Sequence, residues 1–230
     1  MKASTPSLIF FFVSSILAIF FKLLEYDMLM LYTKSIVIPS LFIYYLVSNN
    51  YKITFLNVWI FLLFFVREVF NTLRISASPM GAFLCVLIVY VLLLFLAWRD
   101  SNFLKFRYKD IFSISILFIG MGAICFLVLN LKLENLELDF SLYVVFGLIL
   151  SVLTVFSILN YIKTGSLVFF NGMLMCISFV VSDVFFVLYK FYFYNYLLTL
   201  VSLVTQFSSY FFMVNYLLER DKGIDGLNHY

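Results

Sequence analysis

Apolar residues run along this chain in blocks about twenty long, with short polar clusters between them. Inside a block the pattern does not alternate: Leu8-Ile9-Phe10-Phe11-Phe12-Val13 is an unbroken apolar run. A strand of a transmembrane barrel would alternate apolar and polar residues over about ten positions. A helix instead satisfies its backbone hydrogen bonds within one segment, as hydrocarbon requires. Roughly 20 mostly apolar residues carry a helix across a bilayer. Reading in that unit predicts eight spans, over 7–24, 28–48, 53–72, 80–98, 110–131, 140–162, 166–188 and 194–218. The expected fold is all-α, a polytopic integral membrane protein built as a bundle of eight transmembrane helices over 1–218. A short cytoplasmic tail is expected over 219–230. The first block follows Lys2 and has the length of a signal peptide, but the bulky Phe21-Lys22-Leu23-Leu24 lacks a small-residue cleavage pattern. It reads as a retained span.

Composition agrees, with 65% of residues hydrophobic, 12% charged and a mean hydropathy of +1.10. A soluble domain is nearer half apolar and a quarter charged, so lipid must be the solvent. The net charge of +3 gives no reason to expect nucleic acid. Its distribution says more. With the amino terminus on one side, that side gathers Lys2, Lys52, Arg99, Lys105, Arg107, Lys109, Lys163, Arg220 and Lys222; the other holds Lys22, Arg74, Lys132 and Lys190. Positive loops stay in the cytoplasm, so both termini are expected there, in the inner or plasma membrane if the chain is bacterial. Arg99 to Lys109 reads as a cytoplasmic anchor against anionic lipid, and Tyr189 to Tyr196 as an interfacial aromatic belt.

Cys85, Cys125 and Cys176 all fall within spans and read as small packing residues. The sole histidine, His229, is next to last. A zinc site and a Ser-His-Asp triad thus lack their central residue, and neither a metal nor a cofactor is expected. Gly120-Met121-Gly122 lies inside a span, where close helix packing is the natural use.

Val66-Arg67-Glu68-Val69-Phe70 recurs, acid kept, as Val181-Ser182-Asp183-Val184-Phe185, half the chain later. This is a weak parallel half-chain repeat. An ionisable residue inside a span is costly and marks a functional site by default. From the expected topology, Glu68 lies about 22 Å along the third span and Asp183 about 25 Å along the seventh, with Lys34 about 9 Å below the same face. The expectation is one polar site shared by Glu68 and Asp183, with Lys34 and Arg67 in the same third of the membrane. Arg67 and Glu68 are successive residues, so their side chains are expected to diverge by about 100°. Asn71 and Thr72 extend the polar face of Glu68, Ser182 adjoins Asp183, and Gln206, Ser208, Ser209 and Tyr210 add polar groups from the eighth span. The plainer alternative is a structural salt-bridge network, with Lys34 and Arg67 snorkelling to the headgroups.

Phe179-Val180-Val181-Ser182-Asp183-Val184-Phe185-Phe186, Lys34 five residues before Pro39, and Asn215-Tyr216-Leu217-Leu218 carry a resemblance. The chain resembles the YhhN-like lysoplasmalogenase family of eight-span membrane proteins, which has Ser-Asp in the seventh span and Lys-Pro in the second. Where that family shows Gly-Asp in the third span, this chain has Arg67-Glu68. Where it has a histidine in the fourth, Val89 and Tyr90 stand nearby. The resemblance implies hydrolysis of the vinyl-ether bond of lysoplasmalogens to a fatty aldehyde and a glycerophospho-base. Such a bond breaks when its β-carbon is protonated and water captures the oxocarbenium ion. One carboxyl must then stay protonated near neutral pH, which a low dielectric favours, while an ionised partner stabilises the cation or orients the water.

The resulting expectation is a membrane-embedded lipid hydrolase acting on a lysophospholipid or other lipid substrate, with Asp183 and Glu68 catalytic. Lys34, Arg67, Asn71, Ser182, Gln206 and Tyr210 are the candidate substrate-binding residues, the two cations for the phosphate. Membrane lipids are the other expected partner. The alternative is a transporter or a lipid- or ion-binding protein using the same carboxyls without catalysis, since parallel repeats are familiar in transporters. Pro39 is the only proline in a span core, which gives little basis for broken-helix binding sites.

Overall fold

The computed structural model describes residues 4–73, 78–101, 108–131, 139–192 and 195–227, apart from the side chains of 108–111 and 223–227. All regular structure among them is helical: α1 (Thr5–Leu23), α2 (Asp27–Ser48), α3 (Phe55–Leu73), α4 (Ser78–Ser101), α5 (Tyr108–Leu129), α6 (Phe140–Thr164), α7 (Leu167–Phe191) and α8 (Tyr196–Leu227). Every one is long and apolar enough to cross a membrane. The chain is an integral membrane protein with eight such helices, at the eight places where the apolar blocks lie. Most of Arg99 to Lys109 lies outside the described side chains.

Local chemistry sets the ends. Gly165 closes α6 at φ 62°, a left-handed conformation that an L side chain resists, and its N–H bonds Tyr161 O. Ser166 then caps α7, its hydroxyl accepting from Phe169 N. After α2, Asn50 and Tyr51 both take positive φ, and Asn49 Nδ2 clasps the turn by donating to Lys52 O at 2.8 Å. Residues 219–227 continue α8 beyond the expected end of the eighth span at 218, and Arg220 and Asp221 are buried. The run Glu219-Arg220-Asp221-Lys222 looks solvated in sequence, yet Asp221 is held by side chains of α2 and α3.

Two compact units make up the chain, one of Met1–Val89 with Tyr210–Tyr230, the other of Tyr90–Ser209. The first holds α1–α3, the start of α4 and the end of α8. The second holds α5–α7, the end of α4 and the start of α8. In the first unit one set of steps recurs among the inward positions of three helices: Lys34, Val37, Ile38, Leu41, Tyr45 on α2; Asn57, Ile60, Phe61, Phe64, Glu68 on α3; Tyr210, Met213, Val214, Leu217, Asp221 on α8. Each set steps three, four, seven and eleven residues from its start. Eleven residues are about three turns, so the ends of each set share one face about 16 Å apart. Polar groups stand at both ends, with sealed aliphatic and aromatic side chains between. All of these are buried except Lys34, which is partly so.

The same steps recur in the second unit as Leu150, Leu153, Thr154, Ser157, Tyr161 on α6; Gly172, Met175, Cys176, Phe179, Asp183 on α7; and Tyr90, Leu93, Leu94, Ala97, Ser101 on α4. Only Leu94, Tyr161 and Asp183 among these are less than fully buried. The half-chain repeat is thus carried by buried faces as well as by one pentapeptide. The outer helices differ: α1 buries Phe11, Ser14, Ser15 and Ala18, whereas the described side chains of α5 within the span include no buried residue.

Candidate functional site

In the first unit, α2, α3 and α8 bring Lys34, Glu68 and Tyr210 to one level, each three turns from the polar group at the other end of its helix. Glu68 is the focus and is 2% exposed. Its Oε1 accepts from Arg67 Nη1 at 3.2 Å and from the Tyr210 hydroxyl at 3.3 Å, and Lys34 Nζ stands 3.7 Å from Oε2. Arg67 Nη1 also donates to the Tyr210 hydroxyl. The expected divergence of Arg67 from Glu68 is therefore corrected. The long guanidinium side chain reaches toward Tyr210 on α8 and sweeps past the carboxylate on the way. Two cations face one acid, a surplus of positive charge that suits an anionic group such as a phosphate.

Around Glu68 the polar face is partly self-satisfied. Thr72 Oγ1 donates to Glu68 O at 2.8 Å and lies 3.0 Å from Ser35 Oγ, which is 2.9 Å from Leu31 O. This hydroxyl pair links α2 to α3, and either oxygen can be its donor. Asn71 is half-buried and makes no hydrogen bond among the described residues.

Asp183 belongs to the second unit, where the Tyr90 hydroxyl donates to its Oδ2 at 2.9 Å. Ser182, beside it, is occupied elsewhere: Ser182 Oγ donates to Ser202 O and Ser202 Oγ returns the bond to Ser182 O, both at 3.0 Å. That reciprocal pair locks α7 to α8. Gln206 is buried on α8 in the same unit. So Lys34, Arg67, Glu68 and Tyr210 come together in one unit, while Asp183, Ser182 and Gln206 belong to the other.

The two acids share a construction. Phe64 precedes Glu68 by one turn and packs on Tyr210 with ring centroids 5.0 Å apart. Phe179 precedes Asp183 by one turn and packs on Tyr90, again at 5.0 Å. Each module is a phenylalanine and an acid on one helix with a tyrosine from another. At the register positions of Lys34 and Arg67 the second unit has Leu150 and Ser182.

Sequence reading passed over Tyr90 as a site residue and missed a second cluster in the first unit. The Tyr45 hydroxyl donates to Asp221 Oδ2, Asn57 Nδ2 donates to that oxygen at 3.0 Å and to Tyr45 at 3.1 Å, and Asn49 Nδ2 approaches Tyr45 at 3.4 Å. The eleven-residue spacing from Lys34, Glu68 and Tyr210 was the signal that could have found it.

The remaining candidates resolve simply. Cys85 and Cys176 are buried, and all three cysteines are free thiols. A Cβ at Gly120 or Gly122 would meet nothing within 4 Å. The expected close packing at that pair is thus corrected: each glycine has open space before it among the described residues. Among the described residues no group of three or more His, Cys, Asp or Glu could hold a metal ion. Compared with protein-family models, curated proteins and solved structures, the chain matches none of them.

Proposed function

We propose that the protein is a membrane-embedded lipid hydrolase of the lysoplasmalogenase kind, cleaving the vinyl-ether bond of alkenyl lysophospholipids to a fatty aldehyde and a glycerophospho-base. The observation that carries this reading is the doubled acid–tyrosine–phenylalanine module, an intramembrane carboxyl held by a tyrosine hydroxyl in each unit. Asp183 is the proton donor that the resemblance implies, and in the first unit Lys34 and Arg67 at Glu68 offer two cations to an anionic group.

In the reaction, the Asp183 carboxyl proton passes to the β-carbon of the alkenyl chain, leaving an oxocarbenium ion. Water adds to the α-carbon and gives up a proton, and the hemiacetal then opens at its bond to the glycerol oxygen. The family resemblance supports this reading on the residues quoted for it. Asp183→Asn keeps the shape of the side chain but removes both proton and charge. Loss of an acid–base partner costs about 10²–10⁴ in rate, so aldehyde release in proteoliposomes should fall at least that far while the variant stays folded. Wild-type protein that releases no aldehyde from any alkenyl lysolipid refutes the proposal.

The transport reading is second, favoured by two units that repeat one buried register, as parallel-repeat transporters do. Solute uptake without aldehyde release in the same vesicles would put it first. In either case both termini face the cytoplasm, on the strength of the loop charges. Modification of a cysteine placed in the 99–110 loop by an impermeant reagent outside intact cells would reverse that orientation.

A further inference from the structure

Tyr90 is 1% exposed and lies between two rings, Phe146 at 5.2 Å and Phe179 at 5.0 Å between centroids. Any buried tyrosine seeks a partner for its hydroxyl, so one tyrosine–acid contact by itself says little. The second copy changes that. Tyr210 stands at the same step of the buried register in the first unit, with the corresponding Phe64 on its ring and the corresponding acid, Glu68, at its hydroxyl. The partner sets otherwise differ: Leu93 and Ala97 follow Tyr90 where Met213 and Leu217 follow Tyr210. What the two copies share is the ring, the hydroxyl and the carboxyl.

We propose that Tyr90 is the positioning residue of Asp183, its hydroxyl holding the carboxyl in one orientation for proton delivery; this rests on the hydrolase reading. The rings of Phe146 and Phe179 keep the phenol from turning. A tyrosine hydroxyl has one proton to give, and Tyr90 gives it to Oδ2 at 2.9 Å. With Oδ2 engaged as the acceptor of that bond, the carboxyl is held in one orientation. The tyrosine touches no reacting atom and acts through Asp183.

Tyr90→Phe removes the hydroxyl and keeps the ring contacts, so folding is preserved. In proteoliposomes with an alkenyl lysophospholipid, kcat should fall about 10²-fold, the usual effect of misplacing a reacting group by about 1 Å, while KM stays unchanged. A structural role would not produce that split. Infrared difference spectra give a readout independent of turnover: the carboxyl band that Asp183→Asn removes should move in Tyr90→Phe. A wild-type kcat in Tyr90→Phe, or a raised KM with kcat intact, overturns the proposal. If the wild-type protein itself releases no aldehyde, the hydrolase reading falls and the infrared band alone decides: an unmoved band refutes the positioning of Asp183, and a moved band sustains it.

Discussion

Removing the Glu68 carboxylate should destabilise the first unit more than removing either cation that faces it. In Glu68→Leu the two cations lose their shared anion at a site they cannot leave easily, since the Lys34 and Arg67 side chains are 12% and 19% exposed. Three terms set the size. Hydrogen bonds to charged groups contribute about 1.5–3 kcal/mol each, and Glu68 accepts two within 3.3 Å, one of them from a guanidinium. Removing one member of a buried ion pair costs about 3–5 kcal/mol, because the other charge stays buried. Against these, side-chain hydrogen bonds between helices in a bilayer average only ~0.6 kcal/mol, since the unfolded chain in the membrane also finds partners. The charge term wins here, because the leucine leaves two like charges on adjacent helices. The expected loss is thus about 3 kcal/mol, the lower end of the ion-pair range. For a chain of this length ~1 kcal/mol moves the midpoint by about 2–4 °C, so about 6–12 °C should be lost in a thermal melt of the detergent-purified protein. Lys34→Met should cost little, as Arg67 and Tyr210 remain on Glu68. The double variant Glu68→Leu/Lys34→Met should recover part of the loss by removing one stranded cation. A Glu68→Leu midpoint within about 2 °C of wild type, or a double variant less stable than Glu68→Leu, would refute the reasoning.

Asp221→Ala should loosen the turn between α2 and α3, because Asp221 holds Tyr45, and Asn49, which clasps Lys52 O, touches the same hydroxyl. Limited proteolysis should cut faster between 49 and 52, and a digestion pattern equal to wild type would show that the cluster does not support the turn. Tyr45→Phe should give the same change, since it removes the hydroxyl that Asn49 touches.

The helices were legible because a bilayer imposes one length on every apolar block. Their ends were less so. Nothing in Glu219-Arg220-Asp221-Lys222 marks it as buried, because the partner groups Tyr45 and Asn57 lie 176 and 164 residues away. Glu68 and Asp183 stood out as acids in apolar runs, and the polar side chains of Lys34, Arg67 and Tyr210 stood out in the same way. Tyr90 did not stand out, because a tyrosine in an apolar span reads as ordinary packing until a carboxyl is seen at its hydroxyl. The contact between Arg67 and Glu68 was misread for a different reason. Helical angles fix the direction of Cβ, but a guanidinium about 6–7 Å beyond its Cα can swing back across a neighbour, and Tyr210 supplied the reason to do so.

The pairing of acids with tyrosines also bears on how the molecule is assembled. Neither half of the chain completes its own module: Glu68 of the first half takes its tyrosine from α8, 142 residues on, and Asp183 of the second takes its tyrosine from α4, 93 residues back. During synthesis Asp183 meets a Tyr90 that is already made, whereas Glu68 must wait for the last helix. Until then its neighbours are Arg67 on its own helix and Lys34 on the helix before, both present as soon as α3 is complete. A buried carboxylate needs a partner throughout folding, because an unpaired charge in hydrocarbon costs several kcal/mol, about 2.5–3.5 on insertion scales. Lys34 and Arg67 meet that need for Glu68 from the start.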